Sequence, residues 1–280
     1  MQIKAIDISF CQKGINFAAV KSSGVKAIIV RNGYLGKTDT AWESNMRGTL
    51  MNGFDVGTYT YIMSESIEQA EKEAAETVKR LEKYKGRLTY PVFADMEDKK
   101  YMTSRFTKES RTKILLAFLK TIEKAGYYAA VYTNPAWLTS YIDKTKILGQ
   151  YDIWLAHYTN NPNKPTKYDY GQTMWQWGLD NIKGVGDVDG DLVYIDYPAR
   201  IKAAKKNFLQ REKLKSVELA FDAAIRSAPS AKASRIGLLK AGMKCVIVEG
   251  TETTDPITKY VYIKLGGEKS QWIVKSAIKQ

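Results

Sequence analysis

An α/β architecture, a closed parallel β/α barrel followed by a small all-β unit, is what the residue pattern implies. Two observations carry it. Over residues 1–198 short apolar runs alternate with longer segments of helical period, the mark of repeated βα units. Beyond residue 216 the runs become short and β-prone, punctuated by Pro229, Gly242, Gly250, Pro256 and the pair Gly266-Gly267, which suggests a barrel of about five strands. Between them, residues 199–216 are rich in Lys, Arg and Ala and read as a basic linker, helical or partly ordered.

Seven strands are expected in the large unit, at residues 3–8, 27–31, 56–61, 92–96, 129–133, 153–156 and 174–177. Between the third and fourth, residues 66–84 read as an amphipathic helix. Ile67, Ala70, Ala74, Val78 and Leu81 fall at helical spacing, and Ser66 suits the N-cap. Residues 107–125 read likewise, with a stripe of Ile114, Leu115, Phe118, Leu119 and Ile122 and a stop at Gly126. After Ile147 the helical signal fades, so the later part of the barrel is expected to lack full helices. In the small unit, strands are expected at 217–227, 235–239, 244–249, 260–265 and 271–274.

Composition narrows the chemistry. The 280 residues carry a net charge of +13, concentrated in the tail, where residues 201–280 hold 16 Lys and Arg against 7 Asp and Glu. Such a surface suits an anionic partner, and with charges dispersed among β-prone residues a cell-surface polyanion fits better than nucleic acid. No run approaches the ~18 apolar residues of a membrane span, and the N-terminal residues lack the sections of a signal peptide. One histidine, His157, and two distant cysteines, Cys11 and Cys245, give poor support to zinc catalysis or a Ser-His triad. His157 is expected to be structural and Cys11 buried and inert.

In a parallel barrel, catalytic side chains gather at the C-terminal strand ends. Those ends here supply Asp7, Arg31, Tyr59, Tyr61, Asp95, Glu97, Tyr132, Asn134, Trp154, Tyr158, Trp175 and Trp177. Asp95 and Glu97 are the central pair, because residues i and i+2 of a strand project to one side and two carboxylates that close rarely both ionise. Asp187, Asp189 and Asp191 follow at i, i+2 and i+4. They read as a turn with one functional Asp, with calcium binding as the second reading. Acids in a cleft with aromatic walls suit polysaccharide cleavage, since sugar C–H faces pack on rings while carboxyls protonate the leaving oxygen and stabilise an oxocarbenium-like transition state.

From residue 3 to about 198 the chain resembles glycoside hydrolase family 25, the muramidases common among phage endolysins and bacterial autolysins. The matching segments are Ile6-Asp7-Ile8-Ser9, Ile29-Val30-Arg31-Asn32-Gly33-Tyr34, Gly57-Thr58-Tyr59-Thr60-Tyr61, Asp95-Met96-Glu97, Tyr132-Thr133-Asn134, Trp154-Leu155-Ala156-His157-Tyr158, Trp175-Gln176-Trp177 and Val188-Asp189. Their order and spacing are jointly specific. The resemblance implies a flattened, TIM-like (β/α)5(β)3 barrel that hydrolyses, with retention, the β-1,4 bond between N-acetylmuramic acid and N-acetylglucosamine in bacterial peptidoglycan. It implies Glu97 as general acid and Asp7, Asp95 and Asp189 as the other catalytic acids. Arg31, Tyr59, Tyr61, Tyr132, Asn134, Trp154, Tyr158 and Trp175 become the substrate-contact candidates, and no cofactor or metal is required. Two positions depart from the family pattern: Asp191 stands where Asn is frequent, and Thr60 where His is common.

The tail resembles a bacterial SH3 domain through residues 225–230, 236–242 and 271–273, which implies a cell-wall ligand. With no signal peptide, holin-type release from a host cytoplasm is the expected route to the wall. A noncatalytic wall-binding protein on a degenerate barrel is the alternative reading, against which the four intact acidic positions argue.

Overall fold

The computed structural model describes residues 2–34, 36–209, 213–266 and 271–279. Its contacts divide the chain into two compact units, 1–210 and 211–280.

The first unit runs β1 (Ile3–Ile8), α1 (Phe17–Ser22), β2 (Ala27–Tyr34), β3 (Lys37–Thr38), α2 (Trp42–Met51), β4 (Asp55–Tyr61), α3 (Ile67–Leu81), β5 (Val92–Asp95), α4 (Lys108–Lys124), β6 (Ala129–Thr133), β7 (Asp152–Ala156), β8 (Met174–Ile182), β9 (Gly186–Val193) and α5 (Tyr197–Ala203). Eight strands close a barrel in the order β1-β2-β4-β5-β6-β7-β8-β9, with β9 returning to β1. Strands β1 to β8 along this path pair in parallel, and β9 is antiparallel to both its neighbours. The two-residue β3 only extends β2 as a hairpin.

Alternation of side chains along each strand sorts the apolar residues into two layers. Ala5, Ile29, Phe93, Ala130 and Met174 point into the barrel. Their neighbours Ile6, Ile28, Val92, Val131 and Ile153 point out, under the helices. Tyr197 of α5 lies 5.0 Å from the Tyr90 ring and 6.3 Å from Phe93, so α5 packs into the end of the barrel opposite the strand C-termini. Small residues make this filling possible. A Cβ on Gly57 of β4 would stand 2.7 Å from Tyr90 Cβ and 2.9 Å from the Pro91 carbonyl oxygen. Gly57→Ala is therefore expected to cost about 1–3 kcal/mol by overpacking, read as a Tm lower by several degrees in thermal unfolding.

The helices start where their caps dictate. Ser66 accepts from Gln69 N at the head of α3, and Thr107 with Ser110 forms a reciprocal capping box on α4. The buried face of α3 is rotated from the apolar stripe: Ile67 is 47% exposed, while Glu73 and Thr77 are buried. Polar partners explain it. Glu73 accepts from Met63 N and Ser64 Oγ, and Thr77 Oγ1 meets Thr60 Oγ1 at 3.0 Å.

The acidic run expected as a turn is instead β9, whose spacing of 187, 189 and 191 is itself a strand period. Its hairpin with β8 rises past the end of β7 and is tied at its tip, where Asn16 N donates to the Gly184 carbonyl at 2.7 Å.

The second unit holds β10 (Lys213–Glu218), β11 (Ala223–Arg226), β12 (Arg235–Leu239), β13 (Lys244–Glu249), β14 (Thr253–Thr254), β15 (Val261–Lys264) and β16 (Trp272–Val274). They form a five-stranded sheet, β12-β11-β16-β15-β14, and a β10-β13 pair. Leu219, Ala223, Ile247, Ile263, Leu265, Ile273 and Ala277 make its core. The strand expected at 217–227 is two strands, and β10 begins inside the expected linker, part of which forms α5. Linker residues 210–212 and Gly267 lie outside the described residues. Cys11 is exposed, not buried, because the turn after β1 carries it outward. Among the described residues no helix is long and apolar enough to cross a membrane.

Candidate active site

Register brings the polar strand ends together. On β1 and β9, Asp7 pairs with Asp189; on β4 and β5, Tyr61 pairs with Asp95; Asp95 then faces Tyr132, and Tyr132 faces Trp154. Each of Asp7, Arg31, Asp95 and Tyr132 follows an inward apolar residue by two, so all four project into the barrel mouth. Glu97 continues the parity two residues beyond β5. A cleft of about 190 Å³ results, lined by Asp7, Arg31, Tyr59, Tyr61, Asp95, Glu97, Tyr132, Trp154, Tyr158, Gln176 and Asp189.

Ten of the twelve expected site residues meet there, and two do not. Trp175 is fully buried, and its Nε1 donates to the His157 carbonyl at 2.9 Å. The cleft side of β8 belongs to Gln176, which follows the inward Met174 by two. Asn134 serves locally, accepting from Trp137 N at 3.1 Å. Trp154 does line the cleft, but as floor. It is 1% exposed, packs against Tyr132 with centroids 4.6 Å apart, and offers no open face to a sugar. Tyr158 is the open ring, 51% exposed.

Hydrogen bonds fix the acids. Gln176 Nε2 donates to Asp7 Oδ2 at 2.8 Å while its Oε1 accepts from Tyr132 Oη at 2.9 Å, so one amide locks a buried acid to a buried phenol. Tyr158 Oη donates to Asp189 Oδ1 at 3.0 Å, and Trp154 Nε1 donates to Asp191 Oδ1 at 2.8 Å. Asp95 is only 3% exposed, and its Oδ1 has no hydrogen-bond partner among the described residues. Gln176 was hidden from the motif reading by the two tryptophans beside it; strand parity is the signal that finds it.

Burial pushes all these carboxyls up, and repulsion from neighbouring acids adds to it at Asp7, Asp95 and Glu97. Burial raises Asp7 well above its usual range, aided by Asp189 and Glu97 and opposed by the Gln176 hydrogen bond and Arg31. Burial, then Glu97 and Asp7, raise Asp95 well above its range, with Arg31 opposing. Glu97 is raised by burial, Asp189 and Asp98. Asp189 is raised by burial against its Tyr158 hydrogen bond. A cluster of this kind retains protons nearer neutrality than isolated carboxyls do, so one member can act as an acid while another stays basic.

Along β9 the three aspartates differ in depth. Asp187 is exposed, Asp189 half-buried and Asp191 fully buried, facing Gln176 and Ala5 one layer down. This arrangement spreads them along the barrel axis rather than around a single point, unlike the loop the calcium reading requires. Among the described residues no group of three His, Cys, Asp or Glu side chains is arranged to hold a metal. His157 Nδ1 pairs with Thr166 Oγ1 at 2.8 Å, a structural contact outside the cleft.

Residues 6–185 match the family model described as Glycosyl hydrolases family 25. No curated protein matches the chain by sequence. Among solved structures, the modular autolysin LytC from Streptococcus pneumoniae in complex with a synthetic peptidoglycan ligand aligns at 30% identity with a TM-score of 0.60, over 69% of this chain and 47% of that one. This chain thus spans about half the length of that autolysin. The catalytic domain of endolysin ply40 from bacteriophage P40 of Listeria monocytogenes aligns at 21% identity and a TM-score of 0.60, over 72% of this chain and 97% of that one. The bacterial lysozyme from Streptomyces coelicolor gives 19%, 0.61, 74% and 98%. These last two show a shared fold.

Proposed function

The chain belongs to the glycosyl hydrolases family 25, and we propose that within it this protein is an endolysin-type muramidase, cleaving the β-1,4 bond between N-acetylmuramic acid and N-acetylglucosamine in bacterial peptidoglycan. The observation that carries the reading is the convergence of Asp7, Asp95, Glu97 and Asp189 on one cleft at the barrel mouth. Glu97, with its raised carboxyl, donates a proton to the leaving oxygen. Asp95 supports substrate assistance: its unpartnered, buried Oδ1 suits the N–H of the sugar's 2-acetamido group, whose carbonyl oxygen then attacks C1 as the glycosidic bond breaks. Water opens that intermediate from the face the leaving group vacated, giving its proton to the Glu97 carboxylate, and the configuration is retained.

Asp189 and Asp98 supply the negative field that keeps Glu97 protonated, and negative charge in the cleft stabilises positive charge at C1. The tail, with its basic surface and its likeness to bacterial SH3 domains, is assigned to holding the enzyme on the wall.

Digestion of purified cell walls followed by mass spectrometry tests the reading. New reducing ends on muramic acid support it. Freed amino groups instead would indicate a peptidase, and binding without any new end would leave a wall-binding protein.

The acid assignment has a pH signature. Asp98 contributes to the upward push on Glu97 and itself accepts from Tyr61 Oη at 3.2 Å. Asp98→Asn removes the charge and keeps the shape, so Glu97 should lose its proton at lower pH. The alkaline limb of the kcat/KM profile is expected to move to lower pH; an unmoved limb would assign it to another group.

A further inference from the structure

Arg31 is the one cationic side chain among the residues lining the cleft, and its mounting differs from that of a simple counter-ion. Its Nε donates to Asp39 Oδ2 at 2.6 Å, and the Asp39 side chain is fully buried. Asp39 also accepts from Phe10 N at 3.2 Å and Ala41 N at 2.8 Å. The guanidinium carbon lies 4.7 Å from the Phe10 ring and 5.7 Å from the Tyr34 ring. The group is therefore held at one edge by a buried carboxylate and packed against two rings.

The two Nη nitrogens have no protein acceptor among the described residues, and they are not fully buried, because Arg31 retains a 12% exposed side chain facing the cleft. Asp7 and Asp95 feel its charge but lie beyond ion-pair distance. A rigid planar fork with free ends is suited to a carboxylate, which takes two parallel N–H donors; hydroxyl and amide groups of a neutral sugar need no such cation. In the proposed substrate one sugar of each pair differs from its neighbour by a lactyl ether ending in a carboxyl, free or extended by a peptide with carboxylates of its own. That anion enters a cleft walled by four acids, where like charge would repel it.

We propose that Arg31 binds a carboxylate carried by the muramic acid substituent and so makes the enzyme prefer anionic to neutral glycan strands. The inference rests on the muramidase reading and deepens it.

The test uses the full chain and three tetrasaccharides of alternating N-acetylglucosamine and N-acetylmuramic acid. The lactyl group is a free carboxylate in the first, a neutral methylamide in the second, and an amide of a dipeptide ending in carboxylates in the third. The wild type is expected to favour at least one anionic substrate over the methylamide by about tenfold to a hundredfold in kcat/KM. In Arg31→Met that ratio should collapse to about one or invert, and in Arg31→Lys it should be intermediate, since an ammonium keeps the charge without the fork.

Which anionic substrate benefits identifies the lactyl or the peptide carboxylate as the ligand. An equal loss on all three substrates with a shifted pH profile would overturn the proposal, leaving Arg31 as a counter-charge to Asp7 and Asp95; so would a wild type without preference. If Arg31→Met does not fold, the Arg31→Lys ratio decides alone. Wild-type failure on all three substrates would overturn the muramidase reading itself, and this inference with it.

Discussion

Glu97→Gln should lose about a hundredfold to ten-thousandfold in the rate of wall cleavage while keeping its Tm and its binding to walls. Gln preserves the volume and the hydrogen-bonding outline of Glu but has no proton to give the leaving oxygen. The folded structure has little to lose, because the Glu97 carboxyl forms no salt bridge with any described residue, and burial and its acidic neighbours disfavour its charge. Sedimentation with purified walls and reducing-end release, measured on the same preparation, separate the two properties. Turnover near the wild-type rate would remove Glu97 from the role of acid.

Asp95→Asn is expected to lower activity by about a hundredfold to a thousandfold and to raise stability at neutral pH. The second effect follows from linkage. Burial, then Glu97 and Asp7, hold the folded carboxyl well above its ordinary value of 3.8, so the folded state binds this proton more tightly than the unfolded chain does. Below about pH 4 the group is protonated in both states and imposes no penalty. As pH rises, the unfolded chain ionises freely while the folded one resists, and the penalty is complete only above the folded pKa. Removing the carboxyl should therefore raise Tm by a few degrees at pH 7, with the gain shrinking toward pH 4. A gain that is constant with pH would point to packing instead. Stability surrendered for charge in a cleft is the usual trade between folding and activity.

Much of the barrel could be read from residue order because its strands and two of its helices obey simple periods. All seven expected parallel strands are present, and Ser66 is used as the cap its position suggests. The eighth strand escaped because Gly186, Asp187, Gly190 and Asp191 are poor strand formers, and cross-strand pairing with β1 and β8 overrides propensity there. The short α1 and α2 escaped for lack of a long stripe. At the site, the acids were legible because their spacing matched a strand period. Trp175 was misplaced and Gln176 missed for one shared reason: a shift of one residue along a strand exchanges the two faces. Trp154 shows the limit of reading exposure from residue type, since its burial depends on Tyr132, Phe93 and Tyr59 packing around it from three other strands.

The tie between Asn16 and Gly184 at the tip of the β8–β9 hairpin bears on the thermodynamics of substrate capture. The hairpin carries Gln176 and Asp189, and the bond pins its far end to the chain segment that leads into α1. A wall fastened at both ends surrenders little conformational freedom when a ligand arrives, so the entropic cost of association falls mainly on the glycan. Short, freely rotating oligosaccharides then bear that cost in full, whereas strands already held straight in a cross-linked wall have largely met it beforehand.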